Sequence, residues 1–198
     1  MLIAIANAKG GTAKTTSSVY LALAATVHGE KALVLDADSQ DSASTWADAA
    51  EDEGQPLPFE VVATKLSTIA KAVKRDARER DVWRFIDCPP SGIMLDKAIE
   101  AADFTIIPTS ESSLDLTQAW QTYYAIKDSV PAAVLIVKSE TNTTMHRDTL
   151  EALDKTETPR FESIVKKRQE IVKSNGHRPK KLFEYADVYS ELRKELGL

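Results

Sequence analysis

The stretch NAKGGTAKTT, residues 7–16, decides how the rest of the chain is read. It follows the apolar run LIAIA, which starts at Leu2, and leads into TTSSVYLALAATVHG, a segment of helical length and composition ending at Gly29, where a C-cap is expected. A strand, a glycine-containing turn, a lysine, two threonines and a helix form the frame that a phosphate-binding loop needs. Gly10 and Gly11 allow close backbone approach, and the amides at the helix N-terminus favour an anion. In such a loop Lys14 reaches the β- and γ-phosphates, Thr15 places its hydroxyl on a magnesium ion and Thr16 lies near the α-phosphate. A plain glycine turn capped by threonines accounts for the glycines but not for the order of lysine and threonine in this frame. The common pattern GxxxxGK[ST] does not match, because Ala8 and Ala13 stand at its two glycine positions.

Further short apolar runs lie along the chain: KALVLDAD from Lys31, FEVVAT from Phe59, VWRFIDC from Val82, DFTIIPT from Asp103 and AAVLIVK from Ala132. Helical stretches such as SLDLTQAWQTYYAIKD separate them. Strands alternating with helices predict an α/β fold, a mostly parallel twisted sheet with helices on both faces, in a single domain over residues 1–198. Ligands of such sheets sit where loops converge at the carboxyl ends of the strands. EDEGQPLP, residues 51–58, reads as a flexible connection, and beyond Pro159 the strand signal fades into basic and then mixed-charge helices.

Two acidic strand ends complete the expected site. LVLDADSQ ends with Asp36 and Asp38, and FIDCPP ends with Asp87, an aspartate placed where phosphate-loop enzymes hold magnesium, often through water. Trp83 and Arg84 are unusual in a buried strand and suggest that one face of it meets solvent or a partner. Cys88 reads as a small core residue. As the only cysteine in the chain, it leaves no internal disulfide and no cysteine-rich zinc site. The apolar N-terminal strand does not read as a signal peptide, and no apolar run approaches the ~20 residues needed to cross a bilayer, so a cytoplasmic location is expected.

KGGTAKTT resembles the deviant phosphate loop KGGxxK[ST][ST] of the ParA/MinD ATPases, in which the first lysine is the signature. The resemblance implies ATP and Mg²⁺ as cofactors, bound by Lys9, Gly10, Gly11, Thr12, Ala13, Lys14, Thr15 and Thr16. Lys9 would cross the interface of an ATP-bound homodimer to the partner's nucleotide. Ala13 departs from the commoner glycine, so the turn there is expected to suit a residue with a Cβ. LVLDADSQ is similar to the family's DxDPQ segment, with Ser39 replacing the proline. The match makes Asp38, with Lys9 and Lys14, the catalytic set, and Asp36 a supporting carboxylate. VWRFIDCPPSG resembles hhhhDxPP, so Thr15, Asp87 and Asp36 are the expected metal-site residues. Pro108 matches a proline of the partition ATPases. A reductase like the nitrogenase iron protein would need two cysteine ligands per subunit, which one cysteine cannot supply.

Charge is distributed unevenly. The net charge is −5, yet residues 164–181 hold seven lysines and arginines against Glu170 alone, a local +6 that leaves −11 on the rest. By itself such a run is most often a solvated helix face. With the resemblance, in particular the match of Arg168 and Gly176 to the family, it points to non-specific DNA binding through Lys166, Lys167, Arg168 and Lys173. LFEYADVYSELRKELGL has an apolar stripe at Tyr185, Val188, Leu192 and Leu196, but its mixed-charge polar face suits packing on the sheet rather than an anionic membrane. The chain starts almost at its first strand, which is similar to short ParA proteins without a helix-turn-helix region. The resulting expectation is a nucleoid-associated DNA-partition ATPase stimulated by a small centromere-binding, ParB-like partner. A metabolic ligase such as dethiobiotin synthetase, a MinD-like positioning ATPase and a binding-only regulator are the alternatives.

Overall fold

A computed structural model describes residues 1–65, 67, 69 and 81–198. The described residues form six strands, β1 (Leu2–Ile5), β2 (Lys31–Asp36), β3 (Glu60–Ala63), β4 (Val82–Asp87), β5 (Phe104–Thr109) and β6 (Ala132–Ile136). Their helices are α1 (Lys14–Val27), α2 (Ser42–Asp52), α3 (Ile93–Ala101), α4 (Ser113–Ile126), α5 (Thr144–Lys155), α6 (Gln169–Lys173) and α7 (Tyr185–Glu195). The strands make one sheet in the order β3-β2-β4-β1-β5-β6, and every pairing is parallel.

Side-chain alternation along each strand divides the core between the two faces. Ile3 and Ile5 of β1, with Phe85, Ile106 and Leu135, pack under α1 and α7, whereas Leu2 and Ala4, with Ile86, Ile107 and Val134, pack under α3, α4 and α5. Helix α1 is buried along Val19–Ala25, because it lies between the sheet and α7. It ends as its sequence implies. Gly29 takes φ +90 and its amide returns to the Thr26 carbonyl at 3.0 Å, a conformation that a side chain would strain.

Three expectations change. Trp83 and Arg84 are both buried. Helix α7 covers the Trp83 face, where the indole stacks on Phe85 at 6.0 Å and meets Tyr189 edge-on at 5.0 Å. The basic stretch past Pro159 is largely irregular, and only Gln169–Lys173 is helical there. The first two residues of the expected 51–58 connection close α2, and Gly54, at φ +70, follows that helix. The stripe of Tyr185, Val188 and Leu192 is buried against the core under α1, as expected for a packing helix. No helix among the described residues is long and apolar enough to cross a membrane.

Candidate nucleotide site

Strand register brings the expected carboxylates together. Asp87 lies opposite Asp36 on β2 and opposite Ile5 on β1, at the carboxyl edge from which residues 7–13 depart. Asn7, fully buried, pins that departure: its Nδ2 donates to the Pro108 carbonyl at 2.9 Å, and its Oδ1 accepts the Lys9 amide at 2.9 Å. Sequence reasoning passed over Asn7. Its one signal is its type, an Asx side chain able to hold its own turn just past a strand.

Gly11 has φ +79, and no atom comes within 4 Å of the Cβ position at Gly10 or Gly11. Ala13 caps α1 at φ 65. The turn therefore takes the left-handed conformation that glycine prefers, and Ala13 holds it at a strain of about 1–2 kcal/mol. The Lys14 ammonium is buried and donates to the Lys9 carbonyl at 3.1 Å, which the Thr12 hydroxyl also reaches at 3.3 Å. Burial lowers the Lys14 pKa, while Asp87 and Asp38 pull it back up. Thr15, Thr16 and Asp38 face the same cavity, half-buried, and Asp38 accepts the Gln40 amide at 3.1 Å.

Lys9 is engaged within its own chain. It forms an ion pair with Asp115 in the first turn of α4, and the Ser110 hydroxyl donates to the same carboxylate at 2.5 Å. Burial pushes the Asp115 pKa up, but the bonds from Lys9 and Ser110 outweigh it and leave it below the usual range. Contact with a second chain would require Lys9 to leave Asp115.

The two strand-end aspartates are incompletely satisfied. Asp36 accepts the Ser44 amide and hydroxyl through Oδ2, each at 2.8 Å, whereas its Oδ1 and both oxygens of Asp87 are buried without a hydrogen-bond partner. Desolvation raises the Asp87 pKa from 3.8 to about 7. The nearby Thr15 hydroxyl eases that shift without closing a hydrogen bond, Asp36 adds to it and Lys14 opposes it. A native fold rarely leaves buried carboxylate oxygens unpartnered. A divalent cation beside Thr15 would supply the missing partner, so these residues fit Mg²⁺. Among the described residues no three His, Cys, Asp or Glu side chains gather as a metal cage. The arrangement suits an ion held by one or two carboxylates, a hydroxyl and phosphate oxygens.

The cavity over the loop has a volume of about 920 Å³. Its far wall is partly apolar, with Val137, Val165, Ile171 and Val172, and Lys166, Lys167 and Arg168 also line it. The expected DNA-binding residues therefore separate into two groups. Lys167 pairs with Glu140 at 2.6 Å, and Arg168 grips Glu184 at 2.5 and 3.3 Å while lying over the Phe183 ring at 4.8 Å. Lys173 is exposed with Arg178, Lys180 and Lys181 around another recess, and among the described residues none of these four has an ion-pair partner. The second group is anchored to α2, because the Trp46 indole donates to the His177 carbonyl at 2.8 Å and His177 meets Glu53 at 2.5 Å.

An all-parallel sheet with this loop on its first strand and aspartates ending the two neighbouring strands on one side is the fold of P-loop nucleotide-binding proteins. A family model described as an AAA domain matches residues 1–84. The chain is 29% identical over 177 residues to the maintenance of carboxysome distribution protein A of Halothiobacillus neapolitanus, covering 84% of this chain and 79% of that protein. It is 27% identical over 146 residues to the chromosome partitioning protein ParA of Caulobacter vibrioides, covering 54% of this chain and 55% of the relative. The septum site-determining protein MinD of Pyrococcus horikoshii, solved with Mg-ADP, superposes with a TM-score of 0.76 at 18% identity, covering 98% of this chain and 95% of that one. The chain is similar to ParA/MinD-type proteins, a family of ATPases.

Proposed function

We propose that the chain is a positioning ATPase: it binds Mg-ATP in the cavity, pairs with a second copy across the loops and hydrolyses the nucleotide. The observation that carries this reading is the set of buried, unpartnered oxygens of Asp36 and Asp87 beside the loop of Lys9–Thr16. Bound Mg²⁺ would be held by Thr15 and Asp87, with Asp36 in support, and would neutralise phosphate charge. Lys14 turns from the Lys9 carbonyl to the terminal phosphates, and the loop amides hold the chain of phosphates. Asp38, at the cavity, orients the attacking water. Lys9, released from Asp115, reaches the nucleotide of the second copy. The apolar wall of Val137, Val165 and Ile171 receives the base.

DNA is the expected track and a small ParB-like protein the expected stimulator. The support is local charge: Lys173, Arg178, Lys180 and Lys181 are exposed without ion pairs among the described residues, and a dimer would present them twice. The cargo follows the relatives' names only as far as an organelle or a replicon. A ligase on this fold would instead transfer phosphate to a small acceptor. The deciding experiment follows phosphate release from ATP alone, with DNA added, and in Asp38→Ala. Turnover without any acceptor, lost in Asp38→Ala while ATP still binds, supports the ATPase. Phosphate release at the parental rate in Asp38→Ala sinks it.

A further inference from the structure

Lys138 has no part in the sequence reading, yet the structure holds it in an unusual way. It follows Val137 in the loop after β6 and adopts φ 56, a left-handed conformation that a lysine takes only when its neighbours impose it. They do so here. The Val137 amide donates to the Thr109 carbonyl at 2.8 Å, the Ser139 amide donates to Val165 at 3.1 Å and the Ser139 carbonyl accepts from Lys167 at 2.9 Å. The Ser139 hydroxyl donates to Glu111 at 2.5 Å, and Glu111 meets His146 Nδ1 at 2.6 Å and the Glu140 amide at 3.2 Å. Ser139, Glu111 and His146 are all buried. This network aims the Lys138 ammonium across the cavity mouth to the Gly11 carbonyl, 2.7 Å away.

We propose that Lys138 is a positioning residue of the nucleotide site, a cation that holds the carbonyl of Gly11 and so fixes the peptide that orients the loop's amides toward the phosphates. A concave run of amides binds an anion only while its peptides keep one orientation, and a cation bonded to one of the carbonyls fixes that peptide before a ligand arrives. Lys138 also ties the two halves of the cavity together, because its backbone belongs to the wall that carries Val137 and its ammonium to the phosphate loop. It does not need the γ-phosphate. Its effect therefore falls on ADP and ATP alike, unlike that of a residue reading the terminal phosphate.

The inference rests on the nucleotide site proposed above, and its test separates the two. Dissociation of fluorescent N-methylanthraniloyl-ADP and -ATP is followed by stopped flow in the parent, Lys138→Met and Lys138→Arg, with a melting curve for each. Lys138→Met keeps the length of the stem and removes the charge. The expected result is dissociation about fivefold faster for both nucleotides, the scale of one charge-assisted hydrogen bond at a solvent-exposed position. Lys138→Arg should restore the parental rate, and the melting temperature should not move. Parental rates in Lys138→Met, an effect on ATP alone, or a loss that tracks a lowered melting temperature and is not rescued by arginine would each overturn the role. A parent that binds neither probe would instead defeat the nucleotide site itself.

Discussion

Replacing Asp87 with asparagine should stabilise the ligand-free protein, and increasingly so as pH rises. Asp87 is buried, neither of its oxygens has a hydrogen-bond partner, and its pKa is raised from 3.8 to about 7, first by desolvation and further by Asp36. A carboxyl group whose folded pKa is raised binds more protons folded than unfolded between those two values. Stability is therefore lost as pH climbs through the window from 3.8 to about 7. A rise from 3.8 to about 7 corresponds to about 4 kcal/mol, of which about 2–3 kcal/mol falls between pH 5 and pH 8. Asparagine at this position has no such titration. Urea unfolding of the parent and Asp87→Asn, with EDTA and no nucleotide, should show the variant gaining about 2–3 kcal/mol on the parent between pH 5 and pH 8. Added Mg²⁺ and nucleotide should narrow the gap at pH 8, because the ion compensates the aspartate alone. A gap that does not change with pH would mean that Asp87 does not carry the raised pKa.

Trp83→Ala should cost about 3–5 kcal/mol in urea unfolding, because the indole is buried between Phe85 and Tyr189; a cost below about 1 kcal/mol would mean that α7 does not cover this face. Lys173→Glu combined with Lys180→Glu should weaken ATP-dependent binding equally on two unrelated duplexes and reduce the salt slope by about 0.9 for each phosphate no longer neutralised. Unchanged affinity would return the patch to a solvated surface. Arg168→Glu is the poorer probe, because it would set a second carboxylate against Glu184.

The parts of the site that local sequence could specify were legible. A lysine–threonine order after an apolar strand and two aspartates at strand ends point to one edge of a parallel sheet, and β2, β4 and β1 bring them there in register. What could not be read depends on side chains that meet across long separations in sequence. The pairing of Lys9 with Asp115, 106 positions away, and the reach of Lys138 to Gly11, 127 positions away, leave no local pattern. Trp83 and Arg84 suggested a face that meets solvent or a partner because a large aromatic beside an arginine breaks the apolar run of the strand, and the placement of α7, about a hundred residues later, covers Trp83. Ala13 shows a different limit. Its type suggested a turn comfortable with a Cβ, whereas the geometry of the loop imposes φ 65 on whatever stands there.

Whether Lys9–Thr16 and the strand-end aspartates form one Mg-nucleotide site is decided by calorimetric titration of ATP into the parent and Lys14→Ala, each with Mg²⁺ and with EDTA. One ATP should bind per chain in the parent, more weakly in EDTA and not at all in Lys14→Ala, whose ammonium is the one placed to turn from the Lys9 carbonyl to the terminal phosphates. No heat of binding in the parent, or equal binding in the parent and Lys14→Ala, would contradict such a site.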